Sequence, residues 1–453
     1  VEVNWNKMKA LSCFIALSFP AHSQTLEQAV AHTIATNPNI KASFNEFTSK
    51  RYDSEASSGA YLPKIDLDAG IGYEATNPAQ GTDEELTRKE ATISLTQLIW
   101  DGSATLNDMD RTSADAESVR FQLMSDAQDI ALEVSKAYLN FIKTTELIKL
   151  SEKNIASHQE IYEQIKERTD SGLGSIADLS QVTGRLARAQ SNMIAARNNN
   201  LDARSQFIRL VNAQPKDLIL PVPDAEMLPQ NEELGLNLAI EKHPVIKAAQ
   251  QDINAAHSFK NSVKASYYPT ISLELEANSD NDLAGESGIN RFGENLGGHR
   301  NDASVMLRLR YNLFSGGKDV ASERSAAYKV SEAQEINYSA NRQVIESYRL
   351  AWNAFEMLEL QKEYIKKHII TAKDTQVVYK QQFDIGQRSL LDLLDTENEL
   401  FQARKDYLDA DFNEVSAQYR LLNATGQLLE SLRVTRSETW QGEHEYEQGA
   451  YNE

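Results

Sequence analysis

Two kinds of apolar spacing alternate along the chain, and each occurs twice. Period-two stretches appear at Ile65, Leu67, Ala69, Ile71 and Tyr73, then at Ile93, Leu95 and Ile99. The alternation returns at Ile271, Leu273 and Leu275, and again at Val305, Leu307, Leu309, Tyr311 and Leu313. Such stretches predict strands with one apolar face, suited to a soluble sheet or to a barrel wall facing lipid. After each pair comes a long tract with three-four spacing. Ala131, Val134, Tyr138 and Phe141 in the first correspond to Ile345, Tyr348, Trp352 and Phe355 in the second. These tracts predict helices over 103–169 and 318–383, each about 100 Å long at ~1.5 Å per residue. Their seams call for a coiled-coil partner. Glycine turns then predict shorter helices returning antiparallel over about 175–212 and 388–426. Helices at about 25–60 and 237–262 precede the two strand pairs and complete four helical tracts.

The doubling is also visible residue by residue. "NPNIKASF" at Asn37 returns as "HPVIKAAQ" at His243, and "YLPKIDL" at Tyr61 returns as "YYPTISL" at Tyr267, both at an offset of 206. "QLIWDGS" at Gln97 matches "YNLFSGG" at Tyr311 at an offset of 214, so the second copy has gained eight residues between these points. The gain falls in "NSDNDLAGESGINRFGENLGGHRND", a Gly-, Asn- and Asp-rich loop that absorbs insertions without disturbing its strands. Gly172 and Gly386 keep the offset of 214, as do Asp178 and Asp392. An internal repeat therefore organises the chain. Residues 24–236 form one copy, 237–433 the other, and 434–453 an acidic tail that reads as disordered. Gly172, Gly174 and Ala177 also fit a dinucleotide-binding pattern. The charged helical stretch before them, where that site needs a buried strand, argues against a cofactor.

Composition narrows the class. The chain has 453 residues with only 10 Pro and 20 Gly, which favours long uninterrupted helices. Its net charge of −20 argues against nucleic acid, which needs a basic face. After Met8 and Lys9, the apolar run "ALSCFIALSF" is of signal-peptide length, and cleavage is expected after Ser23. The single cysteine, Cys13, would leave with it, excluding disulfides, thiol nucleophiles and thiolate metal sites from the mature chain. No later segment has the length of a transmembrane helix, so membrane contact must come through β structure. Four strands cannot close a membrane barrel, for which the minimum is about eight. Strands must then be pooled between subunits, eight in a dimer or twelve in a trimer. The eight histidines show no metal spacing, and no nucleophile elbow or P-loop is present. No enzymatic activity and no cofactor are expected.

The pairing of "LPKIDLDAGIGYE" with "YPTISLELEAN", the "YNLFSGGK" opening the second long helix, and "DIGQRSLLDLLDTENEL" at its far turn resemble the TolC family of outer-membrane efflux proteins. The resemblance covers about residues 25–430. It implies an α+β membrane protein: duplicated long helical hairpins forming a tunnel, and four strands per protomer in a shared twelve-stranded barrel. It further implies a homotrimer that meets a periplasmic adaptor and an inner-membrane ABC or other pump. Asp392 and Asp395 lie three apart after the Gly386 turn, on one face of a helix. Helix-dipole complementarity alone accounts for acids there. The resemblance instead implies rings of carboxylate at a periplasmic constriction, able to attract cations. Arg388 matches an arginine that ties neighbouring hairpins, with Asp178 as its partner, although Asp178 also suits a plain helix N-terminus. Gly172, Leu173, Gly174, Ile385 and Gly386 form tight turns that are either plain hairpin turns or adaptor-docking tips.

The expected function is therefore a passive exit duct in the outer membrane, its tunnel reaching into the periplasm, serving type I secretion of a protein. Efflux of drugs or other small molecules is the alternative. A poreless periplasmic coiled-coil scaffold is the rival from another class, and the alternating strands speak against it.

Overall fold

Helix starts are where the repeated motifs acquire a physical meaning. The computed structural model of the chain describes residues 23–76, 84–281, 288–289, 295–296, 298–435 and 440. All but Ser23 of the expected leader, much of the inserted loop and most of the acidic tail lie outside the described residues. The helix expected over 25–60 is two helices, α1 (Leu26–Thr36) and α2 (Pro38–Gly59). Asn37 between them is extended, and its side chain accepts the Asn39 N–H at 2.8 Å. Pro38, which lacks an N–H, occupies the first turn, where none is needed. The helix expected over 237–262 breaks in the same way, into α5 (Glu232–Lys242) and α6 (Pro244–Lys264). Here His243 is the cap: its Nδ1 accepts the Val245 N–H at 3.3 Å. Burial pushes the His243 pKa down to about 4, which keeps the ring the neutral acceptor that the cap requires.

The strands form one antiparallel sheet in the order β1 (Lys64–Thr76), β2 (Glu84–Trp100), β3 (Thr270–Asn281), β6 (His299–Arg310). Two short strands, β4 (Gly288–Ile289) and β5 (Asn295–Leu296), pair within the inserted loop. The register sets Leu67 against Ile93, Ile65 against Leu95, Leu95 against Leu275, and Leu275 against Val305. Leu273 meets Leu307, and Ile271 meets Leu309. All of these are odd-numbered, so one face of the whole sheet is apolar. It is uncovered: Leu67 is 73 % exposed, Ile71 76 % and Val305 71 %. The even-numbered face carries Asp66, Asp68, Ser94, Glu274, Glu276 and Arg308. Ion pairs cross it, among them Arg308 to Glu274 at 2.6 Å and Arg300 to Asp280 at 3.5 Å. The last strand is shorter than its alternation suggests. Beyond Arg310 the chain turns through Gly316 and Gly317, both at positive φ, and leaves Leu313 and Phe314 outside the ladder and almost fully exposed.

The long helices are α3 (Ala104–Asp170) and α7 (Lys318–Asp384), 67 residues each, and the returning helices are α4 (Ile176–Val211) and α8 (Leu390–Ala424). A short α9 (Leu428–Ser431) follows. The chain divides into two compact units. The first, a hairpin unit, takes the described part of Val1–Thr33 with Glu133–Pro223 and Gln361–Ser416. In it Tyr138 is fully buried against Phe207. Its hydroxyl lies 2.7 Å from the Gln24 carbonyl and 2.8 Å from that of Ile219, and accepts the Ile219 N–H. One side chain of α3 thus fastens both the start of the described chain and the segment joining the repeats.

The second, a sheet unit, comprises Ile34–Leu132, Asp224–Leu360 and the described part of Ala417–Glu453. Its core gathers Tyr348, Ala351, Leu421, Ala424 and Ala239, with Trp352 and Phe355 packed beside them. Gly235 is required there, because a Cβ on it would fall 2.0 Å from the Tyr348 hydroxyl. Of the tail, Trp440 is described and is buried. It lines a cavity of about 300 Å³ with Phe121, Met124 and Leu429.

Candidate functional site: the hairpin ends

Both glycine turns are built by the same hydrogen bonds. At the end of α3 the Leu173 N–H reaches the Arg168 carbonyl at 2.8 Å, and the Gly172 N–H reaches Thr169 at 3.0 Å. At the end of α7 the Gln387 N–H reaches Gln382 at 2.8 Å, and the Gly386 N–H reaches Phe383 at 3.0 Å. This is the Schellman arrangement, which satisfies the last carbonyls of a helix by placing one residue in the left-handed region. Gly172 and Gly386 are those residues, each at φ +77°. Gly174 is needed for another reason: a Cβ there would lie 2.7 Å from the backbone nitrogen of Thr169. The turns leave Leu173 86 % exposed and Ile385 68 % exposed. Ile176, the first residue of α4, joins them at 77 %. Its repeat counterpart Leu390 is buried instead, so the two ends differ in what they present.

Beneath the turns the two hairpins share one core. Ile161, Ile165, Val182, Phe383, Leu390, Leu393 and Leu394 are buried together, with Tyr162 and Leu179 against them. Polar ties flank this cluster. Lys380 of α7 reaches Glu160 of α3 at 2.8 Å, and Arg185 of α4 reaches Asp395 of α8 at 2.8 Å.

The acidic residues singled out from the sequence are all engaged locally or left at the surface. Asp392 closes a capping box: its carboxylate accepts the Ser389 N–H at 3.4 Å, while the Ser389 hydroxyl oxygen accepts the Asp392 N–H at 3.2 Å. The helix-start explanation of Asp392 is thus realised in the chain. Asp395 is the carboxylate that Arg185 holds. Arg388 lies over the Tyr379 ring at 4.2 Å, donates to Gln382 at 2.9 Å and comes within 3.9 Å of Asp392. The chain therefore brings Arg388 to Asp392 and not to Asp178. Asp178 stands in the first turn of α4, whose cap is Ser175 accepting the Ala177 N–H at 3.1 Å. Within one chain Arg185 pairs with an acid of the other hairpin, and the sequence reading missed it. Its signal was present, since Arg185 follows Asp178 by two turns on one face of the same helix.

A model of the outer membrane efflux protein family matches residues 30–213 and 235–427, each match covering one of the two repeats. The efflux protein BepC of Brucella suis is 26 % identical over 411 residues, covering 90 % of this chain and 86 % of its own. The alkaline protease secretion protein AprF of Pseudomonas aeruginosa is 21 % identical over 88 % of this chain and 83 % of its own. The crystal structure of CusC, a transmembrane channel, superposes with a TM-score of 0.78 at 14 % identity, covering 88 % of this chain and 91 % of that one. The fold read from the sequence, duplicated helical hairpins with four strands for a shared barrel, is the fold of these channels. The duplication, the one-sided sheet and the matched hairpins agree: this chain belongs to the outer membrane efflux protein family and is a channel protein of the outer membrane.

Proposed function

We propose that the chain is one protomer of a trimeric exit duct that completes a tripartite exporter. The observation that supports it most is the sheet. Its odd-numbered face is apolar and bare, and among the described residues β1 and β6 each pair on one side only. Open edges are not tolerated in lipid, and four strands cannot close on themselves. Three copies would supply twelve strands, with the even-numbered polar face turned to a water-filled lumen. The exposed Leu173, Ile176 and Ile385 offer a periplasmic adaptor an apolar docking surface, and the adaptor would link the duct to an inner-membrane pump. Asp392 and Asp395, repeated three times around a narrow opening, would form a cation-attracting gate. Arg388 would meet Asp178 across neighbouring hairpins.

The cargo we favour is a protein exported by type I secretion, a reading supported by the secretion relative AprF. Small-molecule efflux is the second reading, favoured by BepC and by the family description. Deleting the gene and comparing the secreted proteome with drug susceptibility separates them. Loss of one secreted protein at unchanged drug tolerance is expected, and the reverse pattern would replace secretion by efflux.

A further inference from the structure

Among the described residues of the hairpin unit is a buried histidine that has no part in the gate. His158, on α3 one turn before Ile161, is 4 % exposed, and its Nδ1 has no hydrogen-bond partner. The charges it feels come from two other helices: Glu397 of α8 and Arg185 of α4. Glu397 is itself buried and accepts from the Gln376 amide of α7. Arg185 is the residue that ties α4 to Asp395 of α8. Lys380 of α7, paired with Glu160 of α3, completes the charges around Glu397. Members of all four helices of the two hairpins therefore converge on this node, directly beneath the apolar cluster that holds the ends together.

We propose that His158 is a proton-sensitive latch: neutral, it lets the two hairpins pack closed, and protonated, it loosens them. A neutral imidazole is tolerated in this position, whereas an imidazolium would have to be buried. Burial lowers the His158 pKa below its ordinary value; Glu397 opposes that shift, and Arg185 adds to it. Attraction to Glu397 thus falls short of the desolvation cost, and a positive ring would also push against the arginine of the α4–α8 tie. The sign follows. A histidine with a lowered folded pKa binds fewer protons folded than unfolded, so its contribution is intact above 6.5 and is lost as pH falls through and below that value. Acidification is therefore expected to loosen the hairpin ends.

The latch rests on the duct reading only for its effect on current, so its test has arms that do not need a pore. The full chain, as its oligomer in detergent, is followed by C2-hydrogen exchange of the His158 ring across pH. A midpoint below 6.5 is expected, and one at or above 6.5 overturns the proposal. Backbone exchange, corrected for its intrinsic pH dependence, is then compared at about pH 7.5 and about pH 5, on either side of the ordinary histidine pKa. The first turns of α4 and α8 should lose protection in the wild type and keep more of it in His158→Gln; equal losses sink the latch. Glu397→Gln, which removes the attraction but leaves His158 in place, should shift the ring's midpoint further down, and an upward shift would count against the idea. In planar bilayers, conductance should rise on acidification in the wild type and stay flat in His158→Gln. No channel current from either protein would refute the duct, while the exchange data would still decide the latch.

Discussion

At the scale of single residues, the hairpin ends depend on two backbone positions more than on any side chain. Gly172 and Gly386 hold φ of +77°, with open space where a Cβ would stand. The obstacle to replacing them is conformational, not steric. A β-branched residue in this region costs about 1–3 kcal/mol, so Gly172→Val or Gly386→Val should re-aim Leu173 or Ile385 without unfolding the helices. Export should fall steeply while the oligomer and its sheet survive, measured by cargo secretion beside the heat-modifiable mobility of the outer-membrane species. Unchanged export would mean that the turns only connect helices. These glycines were legible in the sequence because a glycine directly after a long helical tract marks a left-handed helix end. Ile176 was not, since its exposure depends on how α4 is turned against the shared core, which buries Val182 of the same helix.

At the scale of elements, the start of α8 serves two purposes that substitution can separate. Asp392 caps the helix through Ser389, and Asp395 carries the tie to Arg185. Ser389→Ala removes the reciprocal cap at about 1 kcal/mol without altering charge, whereas Asn in place of each aspartate keeps an acceptor and removes the charge. If the carboxylates form the gate, Asp392→Asn with Asp395→Asn should weaken cation preference and multivalent-cation block in planar bilayers, and Ser389→Ala should leave both unchanged. Wild-type selectivity in the double variant would assign the aspartates to the helix alone. The acid pair was visible from its spacing after Gly386. Its partners were not, because Arg185 lies 210 residues away in sequence and meets Asp395 only through the packing of α4 on α8.

At the scale of the whole molecule, the sheet is the feature that a single chain cannot complete. An apolar face spanning β1, β2, β3 and β6, with two open edges, is an aggregation hazard in water and a wall in lipid. Native mass measurement and crosslinking should find trimers, with a stoichiometry that accounts for twelve strands. A stable monomer keeping all four strands in detergent would overturn the shared barrel.

What the sequence by itself determined is whatever repeats with a local period. Alternation gave the strands and the side of each residue, because the pleat sends neighbours to opposite faces. The 206- and 214-residue offsets gave the duplication, and the glycines gave the turns. Even so, the x-Pro motifs at Asn37 and His243 mark helix starts inside what read as single helices, since capping chemistry outweighs a continuous apolar period at that point. Tertiary structure decided the pairings that have no local period. Tyr138 joins Gln24 to Ile219, Arg185 reaches Asp395, and His158 lies beside the charges of Glu397 and Arg185. Each such meeting depends on the rotation of one helix against another, which is set by side chains filling a common core and not by any single stretch of chain.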